Sequence, residues 1–114
     1  MRGLKIHNRE LSDEWVSIEV EGEVDLATVK DLELAIESAH DDRTGGVVVD
    51  LTGSSFMDST GLKALVMAHR RFTAEGRSFA IAVSGGPVSR LLDLSGVNTT
   101  IQTVASIEEL TGSG

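Results

Sequence analysis

The sequence predicts an α/β domain: a mixed sheet of four to five strands packed with about four helices. Three observations carry that expectation. Residues 15–21 alternate, with Val16, Ile18 and Val20 on one face and Ser17, Glu19 and Glu21 on the other. Residues 47–49 and 79–83 are short apolar runs, the pattern of strands buried on both faces. Stretches with apolar residues at helical spacing separate them, so strand and helix take turns along the chain. Crossovers between parallel strands of such a sheet are expected to be right-handed.

The elements follow in order. Leu4 and Ile6 alternate with Lys5 and His7 as a short edge strand. The second strand, residues 15–21, is broken by Gly22. Asp25 then suits the N-cap of a helix over residues 26–40, whose Val29, Leu32, Ile36 and Ala39 form one apolar stripe. Gly45 and Gly46 lead into the strand 47–49, bounded by Asp50, and residues 52–58 read as a loop. A second helix starts near Ser59, with Leu62, Leu65, Val66, His69 and Phe72 on its inner stripe, and stops at Gly76. After the strand 79–83, Pro87 suits the first turn of a third helix carrying Val88, Leu91 and Leu92 and ending at Gly96. Residues 101–104 offer a last strand, and Ser106 with Glu109 resembles a capping box for a final helical turn.

Composition narrows the function classes. A chain of 114 residues suits one domain over 1–114, with a core about 4–110 and a short polar tail. There is no Cys, which excludes disulfides, zinc–thiolate sites, iron–sulfur clusters and a cysteine nucleophile. Apolar runs reach five residues, as in 79–83, far short of the ~20 of a membrane helix, and the first residues lack the apolar stretch of a signal peptide. The expectation is a cytoplasmic protein with no membrane insertion. Net charge is −8, unevenly spread: residues 1–58 hold fourteen acidic and five basic side chains, residues 59–114 four and five. So acidic a chain repels phosphate backbones, and one Trp with three Phe is a poor base-stacking supply, so no direct nucleic-acid partner is expected. The acidic half is either a solvated surface or a face for a basic partner.

Familiar catalytic arrangements are missing. His7, His40 and His69 fall in three different elements without metal-ligand spacing. No Gly-x-Ser-x-Gly elbow, dinucleotide loop or Gly-Lys-Ser/Thr phosphate loop is present. Asp50 ends a central strand, as a phospho-accepting aspartate would, and Glu21 and Glu23 could supply an acidic pair. No lysine follows the strand 79–83, so that site lacks a part. No cofactor and no metal are expected, and no catalytic residues are assigned.

The informative segment is Phe56-Met57-Asp58-Ser59-Thr60-Gly61-Leu62. Asp58 or Ser59 can cap the following helix, a contribution of ~1 kcal/mol. Capping explains one such residue and does not call for three. A helix start also presents unpaired N–H groups and a positive dipole end, so a phosphorylated serine is tolerated there.

These residues carry a resemblance. Together with Gly22-Glu23-Val24-Asp25, Val47-Val48-Val49-Asp50-Leu51 and the stretch from Pro87 to Val97, they occur in the order and spacing of the STAS-domain family. More narrowly, the chain resembles the small single-domain bacterial anti-sigma factor antagonists over about residues 4–110. Lys63 departs from the pattern, standing where such proteins often carry glycine or another small residue.

The resemblance implies the STAS fold and a partner switch in transcription regulation. The unphosphorylated antagonist binds an anti-sigma factor that is also a serine kinase, which supplies ATP and Mg²⁺; binding releases a sigma factor. Phosphorylation of the serine after the aspartate, here Ser59, ends binding, and a phosphatase resets the switch. The partner-binding set this implies is Asp25, Met57, Asp58, Ser59, Thr60, Gly61 and Lys63. The protein is then a substrate and a ligand, not an enzyme. Two other readings stand beside it: a non-switching STAS subunit bracing another assembly, such as a lipid-transporter ATPase, and a small ligand-binding or catalytic α/β domain.

Overall fold

In the computed structural model, which describes residues 3–42 and 45–112, the alternating residues 15–21 form a strand, and that strand runs further than the pattern suggests. Strand β1 (Lys5–Glu10) pairs antiparallel with β2 (Trp15–Val24). Strands β3 (Gly46–Met57), β4 (Phe79–Ala82) and β5 (Gln102–Val104) follow in parallel, giving the spatial order β1-β2-β3-β4-β5. The mixed α/β sheet is therefore as expected, with five strands.

Gly22 does not end β2. It takes a φ of 114°, open to glycine without strain, beside shifts in register on either side of Glu21. The residues read as a loop, 52–58, are likewise strand as far as Met57. They pair with the prolonged β2, Glu21 opposite Gly53 and Val24 opposite Met57, while pairing with β4 stops at Asp50 opposite Ala82. This end of β3 thus forms a two-stranded ribbon with β2, its Thr52, Gly53, Ser55 and Phe56 exposed to water. A ribbon so solvated needs no apolar alternation, which is why its sequence resembles a loop.

Five helices are formed among the described residues: α1 (Val29–Asp42), α2 (Ser59–Ala74), α3 (Gly86–Ser95), α4 (Val97–Thr100) and α5 (Glu108–Thr111). The first starts three residues later than expected, because the Asp25 carbonyl takes the amides of Thr28 and Val29 in a preceding turn. The apolar stripe of α1 is the expected one, with Leu32, Ile36 and Ala39 buried. In α2 the buried face is Gly61, Ala64, Leu65, Ala68 and Phe72. Leu62, Val66 and His69, assigned to the inner stripe, lie on its half-buried shoulder. Gly96, at φ 77°, ends α3 and leads straight into α4, a turn the sequence pattern did not reveal. The expected capping box at α5 is one residue off: the Glu109 carboxylate accepts from Ala105 N–H at 3.0 Å.

One face of the sheet carries the main core. Ile18 and Val20 of β2, Val47, Val49 and Leu51 of β3 and Ile81 of β4 meet Leu32, Leu65, Phe72, Val88 and Leu92 from the helices. Each such side chain contributes ~1.5–3 kcal/mol by leaving water. The other face holds a small cluster of Val48, Ala80, Ala82 and Ile107, with Leu11, Trp15, Val104 and Leu110 against it. At the end of the sheet near Gly46, Arg77 lies over the Phe72 ring at 4.6 Å and donates to the carbonyls of His40 (3.0 Å) and Gly45 (3.1 Å). His40 Nε2 lies 2.7 Å from Glu75 Oε1, and that hydrogen bond holds the Glu75 carboxyl below the usual range.

Candidate functional site

The opposite end of β2 and β3 gathers most of the residues singled out by sequence. Val24 and Met57 are register partners, and Asp58 N–H donates to the Val24 carbonyl at 3.0 Å, so the turn after β2 and the start of α2 are tied side by side. Asp58 has extended backbone and is the N-cap of α2. Its Oδ1 accepts from Thr60 N–H at 2.9 Å, from Gly61 N–H at 3.4 Å and from the Thr60 hydroxyl. The Thr60 hydroxyl, followed by these amides, holds the Asp58 carboxyl below its ordinary range despite partial burial, so it is ionised at neutral pH.

Ser59 is the first residue of α2 and is exposed. Sequence reasoning offered a phosphate there the unpaired amides of the helix start. The structure corrects that picture, since the Asp58 carboxylate already occupies the amides of Thr60 and Gly61. A phosphoryl group on Ser59 would therefore project beside an existing negative charge, with few donors of its own.

The neighbouring residues divide into support and surface. Met57 is 5% exposed and belongs to the core under the loop. Gly61 is buried, and a Cβ on it would stand 2.7 Å from Val24 Cγ1 and 2.8 Å from Met57 Cγ. The glycine thus lets α2 start hard against the ends of β2 and β3. Asp25 accepts from Ala27 N–H at 3.0 Å through Oδ1 and caps its own turn. Lys63 is exposed at the fifth position of α2, just past its first turn.

Two residues of this end escaped sequence reasoning. Thr28 is 3% exposed, and its hydroxyl donates to the Glu23 carbonyl at 2.7 Å and accepts from Asp25 N–H at 3.0 Å, bracing the turn after β2. The spacing Asp25-x-x-Thr28 at a strand end was the available signal. Leu26, 77% exposed, lies in the turn before α1, where the sequence pattern placed the first residue of the helix.

Other features lie apart. The three histidines are separate: His7 exposed on β1, His40 beside Glu75, and His69 near Phe79 with ring centroids 6.3 Å apart. Asp50 accepts from Thr52 N–H at 2.9 Å and from its hydroxyl at 2.7 Å, a local turn-like contact. A groove of about 490 Å³ between α2 and the α3–α4 junction is lined by Val66, His69, Thr73, Val97 and Ile101, and none of the expected partner-binding residues lines it. No helix among the described residues is long and apolar enough to cross a membrane.

Comparison with known proteins bears on the family and the fold. The model of the STAS domain matches residues 8–110. The anti-sigma-B factor antagonist of Staphylococcus epidermidis is 31% identical over 85 residues, covering 75% of this chain and 79% of that protein. Among solved structures, an anti-sigma factor antagonist from Mycobacterium paratuberculosis has a TM-score of 0.86 at 25% identity, over 96% of this chain and 92% of that one. SpoIIAA, an anti-sigma factor antagonist, in its unphosphorylated form reaches 0.74 at 20% identity, over 95% of this chain and 97% of that one. The Bacillus SpoIIAA in its phosphorylated form reaches 0.69 at 21%, over 96% and 100%. The SpoIIAA likenesses speak for the fold alone.

Proposed function

The chain belongs to the STAS domain family, which matches it over residues 8–110, and from that premise we propose that it is an anti-sigma factor antagonist switched by phosphorylation of Ser59. The observation that carries the proposal is the exposed Ser59 at the first position of α2, held there by the Asp58 cap. The unphosphorylated protein binds an anti-sigma factor that is also a serine kinase, and a sigma factor is released. The kinase supplies ATP, Mg²⁺ and the general base. The Ser59 hydroxyl oxygen forms the new bond to the γ-phosphorus, its proton passes to the kinase, and ADP departs. A phosphatase later hydrolyses the ester.

The physics of the switch is local. Phosphate adds about −1.5 to −2 charge beside the ionised Asp58. Buried in a contact, that charge must lose its water without a matched set of donors, a cost of several kcal/mol. Each ~1.4 kcal/mol is a tenfold loss of affinity, so the fold itself has no need to move. Asp58 and Thr60 orient the loop, Gly61 and Met57 fix it on the core, and Asp25 and Lys63 border it. The protein acts as ligand and substrate.

The test is a pull-down from source-cell lysate with wild-type and Ser59→Asp baits, read by mass spectrometry. The wild type should retain an ATP-binding serine kinase of the anti-sigma type and the variant should lose it. Ser59→Ala should bind that kinase yet gain no phosphate in intact-mass spectra. Phosphate on Ser59→Ala would reject Ser59. Retention of the same transporter ATPase by both baits would instead favour a bracing subunit.

A further inference from the structure

Two large apolar side chains stand in water at the end of β2 and β3 where α2 begins. Leu26 is 77% exposed and Phe56 43% exposed, whereas their neighbours Val24 and Met57 are 0% and 5% exposed in the core. A single exposed leucine needs no explanation. These two, however, flank the joined ends of β2 and β3: Leu26 sits in the turn that Thr28 braces, and Asp58, whose amide donates to the Val24 carbonyl, caps the helix that Ser59 begins. Phe56 lies opposite Glu23 in the β2–β3 ribbon, and the Ser54 hydroxyl braces that ribbon by donating to Gly22 O at 2.9 Å. Both apolar groups are thus presented on rigid backbone rather than on a loose loop.

Their surroundings are mainly acidic, although Lys63 borders the loop and Lys5 stands opposite Glu21. Glu21, Glu23, Asp25 and Asp58 lie on the same strand ends and turns, within the half of the sequence that carries net −9. A partner matching this face offers an apolar cleft with basic residues around it. We propose that Leu26 and Phe56 are the apolar anchors that seat Ser59 on the anti-sigma factor, and that the seat is an apolar cleft with a basic rim. This rests on the reading of the protein as an antagonist, and it adds a reason for the switch to work against a basic rim. Distant basic groups attract a phosphate, so long-range charge alone would tighten the phosphorylated complex. By excluding water around Ser59, the anchors make the phosphate shed its hydration at the centre of the contact, and that cost outweighs the attraction.

The experiment uses the anti-sigma kinase retained by the wild-type bait, purified and titrated by calorimetry. Leu26→Ala and Phe56→Ala should each weaken binding about tenfold or more, chiefly through faster dissociation. Leu26→Met should stay near wild type, as should Leu34→Ala, which truncates an exposed apolar residue of α1. Wild-type affinity should fall as NaCl rises from about 50 to about 500 mM, as for a basic rim. The loss caused by Ser59→Asp should shrink when Leu26→Ala is already present, because water then reaches the charge. Both variants are at exposed positions, and unchanged melting curves confirm their folding. Affinities of Leu26→Ala and Phe56→Ala within twofold of wild type would overturn the anchors while leaving the antagonist reading intact. A wild type with no affinity for any such kinase would overturn both.

Discussion

Asp58 gathers three donors on one carboxylate: the Thr60 hydroxyl and the amides of Thr60 and Gly61. Removing it as Asp58→Ala should cost about 1–2 kcal/mol in urea denaturation, the usual span for a lost N-cap. The pH dependence has a definite sign. The folded carboxyl titrates below its ordinary value of 3.8, so its contribution is complete above that value and disappears as pH falls through the lower folded one. Wild type and Asp58→Asn should therefore differ in melting temperature at pH 6, and the difference should shrink as the pH falls below 3.8. A constant difference would remove the charge from the account. At this scale the sequence was informative about Asp58, because a cap is written in one residue and its spacing. It was silent about Leu26, whose exposure depends on where two loops meet.

The elements show why some boundaries were legible and others were not. The stripes of α1 and the runs of β3 and β4 announced themselves because burial on one or both faces demands a repeating pattern. The ribbon end of β3 did not, since Thr52, Gly53, Ser54 and Ser55 obey only the pairing with β2. The inner face of α2 was misplaced by part of a turn. Its closest approach to the sheet uses Gly61 and Ala64, which carry almost no hydrophobic signal, while the larger Leu62 and Val66 sit at the shoulder. This geometry makes Gly61→Ala a sharp test of how α2 docks. Alanine gains about 1 kcal/mol of helix propensity. Its methyl group, however, meets Val24 and Met57 at 2.7–2.8 Å, and such overpacking costs about 1–3 kcal/mol. Net destabilisation of about 1 kcal/mol is expected in denaturant titration, and a stabilised variant would mean that α2 shifts freely.

In the whole molecule, the Arg77 cluster and the proposed switch sit at opposite ends of the same two strands. Arg77, His40 and Glu75 close the end near Gly46, and Asp58 and Ser59 occupy the end near Val24. Arg77→Ala removes the cation over Phe72 and the donors to two carbonyls, a loss of roughly 2–3 kcal/mol. That should lower the melting temperature by about 10 °C while kinase affinity and Ser59 phosphorylation stay at wild-type values. A parallel fall in affinity would show the two ends to be coupled. The same separation has an optical consequence. The one tryptophan, Trp15, begins β2 and lies about 30 Å from Val24 along a ten-residue strand. Its half-buried indole packs with Leu11 and Ile107, so its emission follows unfolding of the small second cluster. Mixing with a tryptophan-free partner that docks at Ser59 should leave the emission maximum where it was. This protein therefore carries its own internal reference fluorophore, blind to the switch and sensitive to the fold.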